Sequence, residues 1–203
     1  MYRLVMDTAL DYSYLAILEN NKILYESYDL GKNNHSETLL PKLETTLKEL
    51  NITLKEIEEV YTGIGPGSYT GVRIAVVIGK MLAAMNNIKL YKFSSLASLI
   101  SNISHECYAF VDCRRGNAYT AHFNYVDGKI IRLSEDSVVN ASEYFNGIDE
   151  SLIIKESKPN PIKLIKSNLV SLVEDANSLS PNYLQLVEAE RIKMGLKWWT
   201  LFF

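Results

Sequence analysis

Cysteine is scarce in this chain, with two in 203 residues. Cys107 and Cys113 are not spaced as C-x-x-C, which argues against a zinc knuckle or a dithiol redox centre. A reduced, buried thiol is the expectation for each. Histidine is nearly as scarce: His35, His105 and His122 are widely separated and no two stand at i, i+4, so no helical metal pair exists. His35, at the head of a helix, reads as a surface or capping residue. A basic surplus is also missing. Lys and Arg number 21 against 24 Asp and Glu, a net charge of -3. That excludes a dominant grip of the chain's own on nucleic acid, though not work beside RNA that a partner holds. No stretch approaches the about 18 apolar residues of a spanning helix. The opening "MYRLVMDTALDYSYLAIL" carries Asp7 and Asp11 where a signal peptide would stay apolar. The expectation is a cytoplasmic protein without a membrane segment. The remainder, 47% apolar and 22% charged, is the composition of a globular protein with a real core.

Along the chain, "YRLVMDT", "YSYLAILEN" and "ILYESYDL" predict three antiparallel strands, the last two joined by a turn at Asn20-Asn21. "NHSETLLPKLETTLKEL" places Leu39, Leu43, Leu47 and Leu50 at helical spacing. Ser36 is the expected N-cap, and Pro41 predicts a start near Leu40 or a bend there. "IEEVYTGI" is a strand. "TGVRIAVVIGKMLAAM" is a helix with only Arg73 and Lys80 charged between Val72 and Met85. Gly71, Ala75, Gly79 and Ala83 recur every four residues and form a smooth ridge that admits another backbone, of a sheet or of a second helix. The other faces carry Ile74, Ile78 and Leu82, or Val77, Met81 and Met85. A helix so apolar all round is buried on more than one side. Its own sheet would cover one face and another chain a second; the alternative is a central helix sandwiched within one domain.

"IKLYKF" is a strand and "SSLASLISNI" a short helix capped by Ser94 or Ser95. Then "CYAFVDCRR" repeats the layout of a strand ending in aspartate, and "NAYTAHFNYVDGKIIRL" a hairpin through Asp127-Gly128. Strand-aspartate-hairpin thus occurs at Asp7 and again at Asp112, which predicts two related halves. "IKLIKSNLVSLVEDA" reads as an amphipathic helix, "SPNYLQLVEAERIKMG" as a turn and helix, and "LKWWTLFF" as an apolar tail that must pack if ordered.

Four of the ten glycines fall within "GIGPGSYTG", Gly63 to Gly71. No two of them are five apart and no lysine follows until Lys80, so this is not a Walker A loop. G-x-G-x-x-G fails as well. Two readings remain: an anion site at a helix N-terminus, with the hydroxyls of Ser68 and Thr70, or a capped turn whose glycines serve the backbone.

"GIGPGSYTGVRI" resembles the signature of the TsaB (YeaZ) family, a subunit of the bacterial machinery that makes threonylcarbamoyladenosine in tRNA. "MDTAL", "NHSETLLP", "SSLASL", "VDCRRGNAY" and "PNYLQLVEAE" are similar to further family segments, in the family's order. The resemblance implies an α/β, two-lobed, actin/sugar-kinase/heat-shock ATPase-like (ribonuclease H-like) fold, mixed sheets with flanking helices. Lobe one would span residues 1–102 and a smaller lobe two 103–203, its last helix packing back on lobe one. In ATPases of that fold the two strand ends hold metal and phosphate. The matching residues here are Asp7, Thr8 and Asp112, with Gly65, Gly67, Ser68 and Thr70, a vestigial anion or nucleotide site with weak binding at most. The catalytic relative TsaD carries a His-x-x-x-His metal pair where this chain has Ser95-Leu96-Ala97-Ser98-Leu99. Serine and leucine do not replace imidazole as ligands, so no metal and no cofactor are expected. Gln185 stands where the family prefers arginine.

The resemblance implies a non-catalytic scaffold that binds a TsaD-like subunit, and with it a TsaE-like ATPase, or pairs with its own copy. Its expected interface is Leu39, Leu43 and Leu47 of the first helix, with Val72, Arg73, Ala75, Val76, Gly79, Lys80 and Ala83 of the second. The alternative is a small ATPase or phosphotransferase using Asp7, Asp112 and the glycine loop.

Overall fold

Strand-forming residues open the chain, and they pair at once. The computed structural model describes residues 1–31, 35–86 and 88–185. β1 (Tyr2–Asp7), β2 (Tyr12–Glu19) and β3 (Lys22–Leu30) form an antiparallel meander. Asn20, at φ 53°, makes the β2–β3 turn; asparagine tolerates that left-handed conformation better than most residues. After α1 (His35–Glu49), the unit β4 (Ile57–Gly63), α2 (Tyr69–Asn86) and β5 (Lys89–Phe93) lays two parallel strands beyond β1. α3 (Ser95–Ile100) leads to a second sheet built from β6 (Cys107–Asp112), β7 (Asn117–Val126), β8 (Lys129–Arg132) and β9 (Ser137–Asn140). α4 (Ala141–Tyr144) and β10 (Ile153–Ile154) follow, then α5 (Pro161–Lys166) and β11 (Val170–Val173). The first sheet runs β11-β5-β4-β1-β2-β3. The second runs β10-β6-β7-β8, with β9 also paired to β7.

β1 sits centrally and is covered on both faces, which its alternation records. Leu4 and Met6 join the core under α1 and α2, with Leu39, Leu43, Leu47, Val76 and Ile78. Val5 points the other way, into a core shared with α3, α5 and the second sheet through Leu96, Ala109, Phe123 and Leu164. The layout repeat is real: β1 and β6 each end in aspartate and each pairs with the antiparallel strand that follows.

Three expectations need correction. Ser36 lies inside α1, which begins at His35, so it is not the N-cap. Pro41 also lies inside α1 rather than opening it; buried Leu39, Leu43 and Leu47 hold the helix to the sheet, and such packing outweighs a local breaker. The predicted helix over "IKLIKSNLVSLVEDA" stops at Lys166. Ser167 closes it, donating its N–H and its hydroxyl to the Leu164 carbonyl at 3.1 and 2.6 Å. The chain then pairs Val170–Val173 with β5, since a free sheet edge and β-branched residues favour a strand. In α2 the small ridge lies on its own sheet, one of the two placements its spacing allows: a Cβ at Gly79 would press on Leu90 and Thr62, and Ala75 is fully buried. Ile78 and Leu82 are buried, whereas Val77, Met81 and Met85 are 51%, 50% and 77% exposed. The turn and helix expected past Gln185, and the tail "LKWWTLFF", lie outside the described residues.

Val76→Glu should therefore destabilise the fold by several kcal/mol, about 3 or more, because a charge would be buried unpaired. Met81→Lys, one turn away but exposed, should stay within about 0.5 kcal/mol of the parent. Denaturant melts of the two variants check the contrast.

Candidate functional site

The glycine loop is packed against the turn that leaves β1. The Ser68 N–H donates to the Ala9 carbonyl at 2.6 Å, and the Thr8 hydroxyl donates to the Gly71 carbonyl at 2.6 Å. A Cβ at Gly67 would fall on the Ala9 carbonyl, one at Gly71 on the Thr8 carbonyl, and one at Gly63 on the Asp7 carboxylate. Gly67 and Gly71 are needed because one backbone lies directly on another, and Gly63 because the Asp7 carboxylate fills the place of a side chain. Gly65, at φ 90°, donates its N–H to the Ser95 hydroxyl oxygen at 3.1 Å, while its carbonyl accepts the Ser95 N–H at 2.9 Å. The Ser68 N–H that a phosphate would use is thus taken by the protein's own carbonyl.

Asp7 is fully buried. Its Oδ1 accepts the Ala9 N–H and the Ser95 hydroxyl, each at 3.0 Å. Its Oδ2 has no partner, nor do the buried hydroxyls of Tyr12 and Ser98. Burial pushes the Asp7 carboxyl up to about 6 against the ordinary 3.8, and the Ala9 and Ser95 bonds oppose that rise. Burial, helped by the Asp7 charge, also raises the Tyr12 phenol. Ser95 joins α3, the glycine loop and β1.

Between the two sheets lies a cleft of about 700 Å³, lined among others by Ser68, Thr70, Asp112, Tyr119, Tyr183 and Gln185. Gly67 also faces it, but Asp7, Thr8 and Gly65 do not. Asp112 is exposed and its Oδ1 accepts the Arg114 N–H at 2.8 Å. The expected anion site is therefore split. Four of its seven residues, Gly67, Ser68, Thr70 and Asp112, face the cleft; Asp7 and Thr8 lie behind the loop and Gly65 lies within it. Among the described residues, no three His, Cys, Asp or Glu side chains gather as a metal site.

The expected interface set needs a larger correction. Leu39, Leu43, Leu47, Val72, Ala75, Val76 and Gly79 are buried within the chain and form its core. Ala83 is half-buried against that core. The Lys80 ammonium donates to the carbonyls of Asn177 and Leu179 at 2.9 and 3.1 Å. Arg73 alone of the set is fully outward. It lies 3.7 Å over the Tyr69 ring, bonds the Tyr69 hydroxyl, and donates to the Tyr183 hydroxyl at 2.6 Å. The outward residues of α2 are instead Thr70 at its start and then Arg73, Val77, Met81, Ala84 and Met85. Ser95 and Tyr183 were missed as site residues; Ser95 meets Gly65 across 30 positions and Asp7 across 88, and Tyr183 meets Arg73 across 110, which no local pattern signals.

A family model described as TsaD, tRNA N6-adenosine threonylcarbamoyltransferase, matches residues 29–183. A Bacillus subtilis protein described as tRNA threonylcarbamoyladenosine biosynthesis protein TsaB is 28% identical over 92% of this chain and 95% of its own length. The chain belongs to the TsaB/YeaZ family. Two solved structures agree in fold. One is described as an uncharacterized protein with similarity to peptidase YeaZ from Pseudomonas aeruginosa, with TM-score 0.77, 20% identity and coverage of 91% of this chain and 99% of that one. The other is YeaZ from Pseudomonas aeruginosa, with TM-score 0.73, 20% identity and coverage of 90% and 99%. The two mixed sheets with flanking helices are the actin/sugar-kinase/heat-shock ATPase-like fold that the TsaB/YeaZ resemblance implies. No described helix of this family member is long and apolar enough to cross a membrane.

Asp7 titrates with a sign that can be measured. Its folded value is raised, so the native state binds more protons than the unfolded chain between about pH 4 and 6. Stability falls as pH rises through that window and stays lower above it. Asp7→Asn keeps an oxygen for Ala9 and Ser95 and adds a donor near unpartnered hydroxyls. It should flatten the pH dependence and stabilise the protein at pH 7 by on the order of 2 kcal/mol. Melts between pH 4 and 8 test this; a destabilised Asp7→Asn protein at pH 7 would contradict it. Gly71→Ala, by contrast, should cost about 3 kcal/mol or more, because its methyl meets fixed backbone.

Proposed function

We propose that this chain is a non-catalytic subunit of an assembly that forms threonylcarbamoyladenosine in tRNA. Its docking surface for a TsaD-type catalytic subunit is the outward row Arg73, Val77, Met81 and Met85. The observation that carries this reading is that row itself. α2 spends its other faces in the core, yet leaves three large apolar side chains half or more exposed at four-residue spacing. Covering each would contribute about 1 kcal/mol or more, enough to make the face worth partnering. A TsaE-type ATPase would join through the complex, and without partners a second copy of the chain would use the same face.

The reaction of the whole transfers a threonylcarbamoyl group from its adenylate to the exocyclic amine of adenosine beside the anticodon. In this reading the chain contributes no catalytic group and carries no cofactor, and it works in the cytoplasm. Several features support the assignment. Asp7 is held by Ser95 and Ala9 behind the cleft, and the loop N–H of Ser68 is committed to Ala9; by the family resemblance, Ser95 also stands where a TsaD-type subunit carries a metal-binding histidine. A net charge of -3 suits a subunit that leaves the grip on tRNA to its partner.

Met81→Lys should keep the fold and abolish co-elution with the TsaD-type partner in size-exclusion chromatography. A folded variant that still co-elutes places the interface elsewhere. Depleting the protein should lower threonylcarbamoyladenosine in digested tRNA, and an unchanged level would sink the functional reading.

A further inference from the structure

The stretch from Asn177 to Gln185 is tied down point by point. Lys80 of α2 holds the carbonyls of Asn177 and Leu179, and the Leu179 side chain is buried in the core under α1 and α2. The Asn182 N–H donates to the Ile64 carbonyl at 2.7 Å, and its side-chain amide donates to Asp136 Oδ2 at 3.4 Å, just ahead of β9. Tyr183 takes the Arg73 bond. Gln185 Nε2 donates to Cys113 Sγ at 3.3 Å, at the end of β6. Asn182, Tyr183 and Gln185 all line the cleft. The stretch therefore bonds to the first sheet's side through Ile64 and Arg73 and to the second sheet's side through Asp136 and Cys113. Residues 179–185 have no helix or strand of their own. A segment held by single bonds, without a ladder, belongs to the part of a fold that opens first.

We infer that residues 177–185 are a strap that closes the cleft between the two sheets, and that Arg73 is its latch. Arg73 has two allegiances. It holds Tyr183, and it heads the outward row Val77, Met81 and Met85. A carboxylate accepts from a guanidinium more strongly than a phenol does. A partner that lays an apolar face on the row and an acidic side chain beside Arg73 would draw the latch from Tyr183 and free the strap. This last step rests on the docking reading given above; the strap itself does not.

Cys113 reports on the strap. It is half-buried beneath Gln185, and burial raises its thiol. Cys107 is sealed in the core, pushed up to about 12, and serves as internal control. Alkylation of the full chain by iodoacetamide, resolved by mass spectrometry, should label Cys113 roughly 2- to 10-fold faster in Arg73→Met and Tyr183→Ala than in the parent. Cys107 should stay unlabelled. Equal Cys113 rates in both folded variants overturn the strap. If both thiols label together the variant has unfolded, and Tyr183→Phe, which loses only the acceptor, decides in the same way. Adding a co-eluting TsaD-type partner to the parent should also speed Cys113 labelling. Co-elution with an unchanged rate overturns the latch, whereas no co-elution overturns the docking reading and leaves the strap to the variants alone.

Discussion

One contact organises the molecule: the glycine loop lies backbone on backbone against the turn after β1. Ser68 and Ala9, Thr8 and Gly71 exchange short hydrogen bonds there, and no side chain fits between them at Gly67 or Gly71. That contact sets the entry of α2, hence which face of α2 meets the sheet. It also seals Asp7 behind the loop, where Ser95 of α3 binds it. The central strand, the loop and the helix that carries the outward row are therefore joined at one place.

The same contact decides where the residues of the expected anion site lie. The resemblance implies that both strand-end aspartates face a shared cleft. Here only Asp112 does. A buried carboxylate without charge partners is costly, and its raised titration is the sign of that cost. Asp7 serves as a hydrogen-bond acceptor for a turn and a helix, a use that needs no ligand. The cleft keeps its hydroxyls and tyrosines but has the 181–185 stretch along its wall.

The helix α2 shows how a surface can be hidden in an apolar pattern. Residues one position apart, Val76 and Val77, have opposite fates: one 3% exposed, the other 51%. Arg73 stands between the two regimes. It is clasped by Tyr69 and Tyr183 and opens the row that faces solvent.

Local signals carried much of the architecture. Alternation over β1 and β2, four-residue leucine spacing in α1 and the Asp127-Gly128 turn all act over a few residues, and the strand-aspartate repeat at Asp7 and Asp112 is equally local. Local signals failed where a distant edge competed. Val170–Val173 became a strand because β5 offered unpaired backbone, and Pro41 was carried inside a helix held by its leucines. The sequence by itself determined most of the elements before residue 133, the family resemblance and the lack of a histidine pair at i, i+4. Only the tertiary structure decided which small and apolar residues of α2 face inward, that Asp7 is withdrawn from the cleft, and that Arg73 meets Tyr183. Periodicity tells that a helix has faces, but what covers each face depends on segments up to about a hundred residues away.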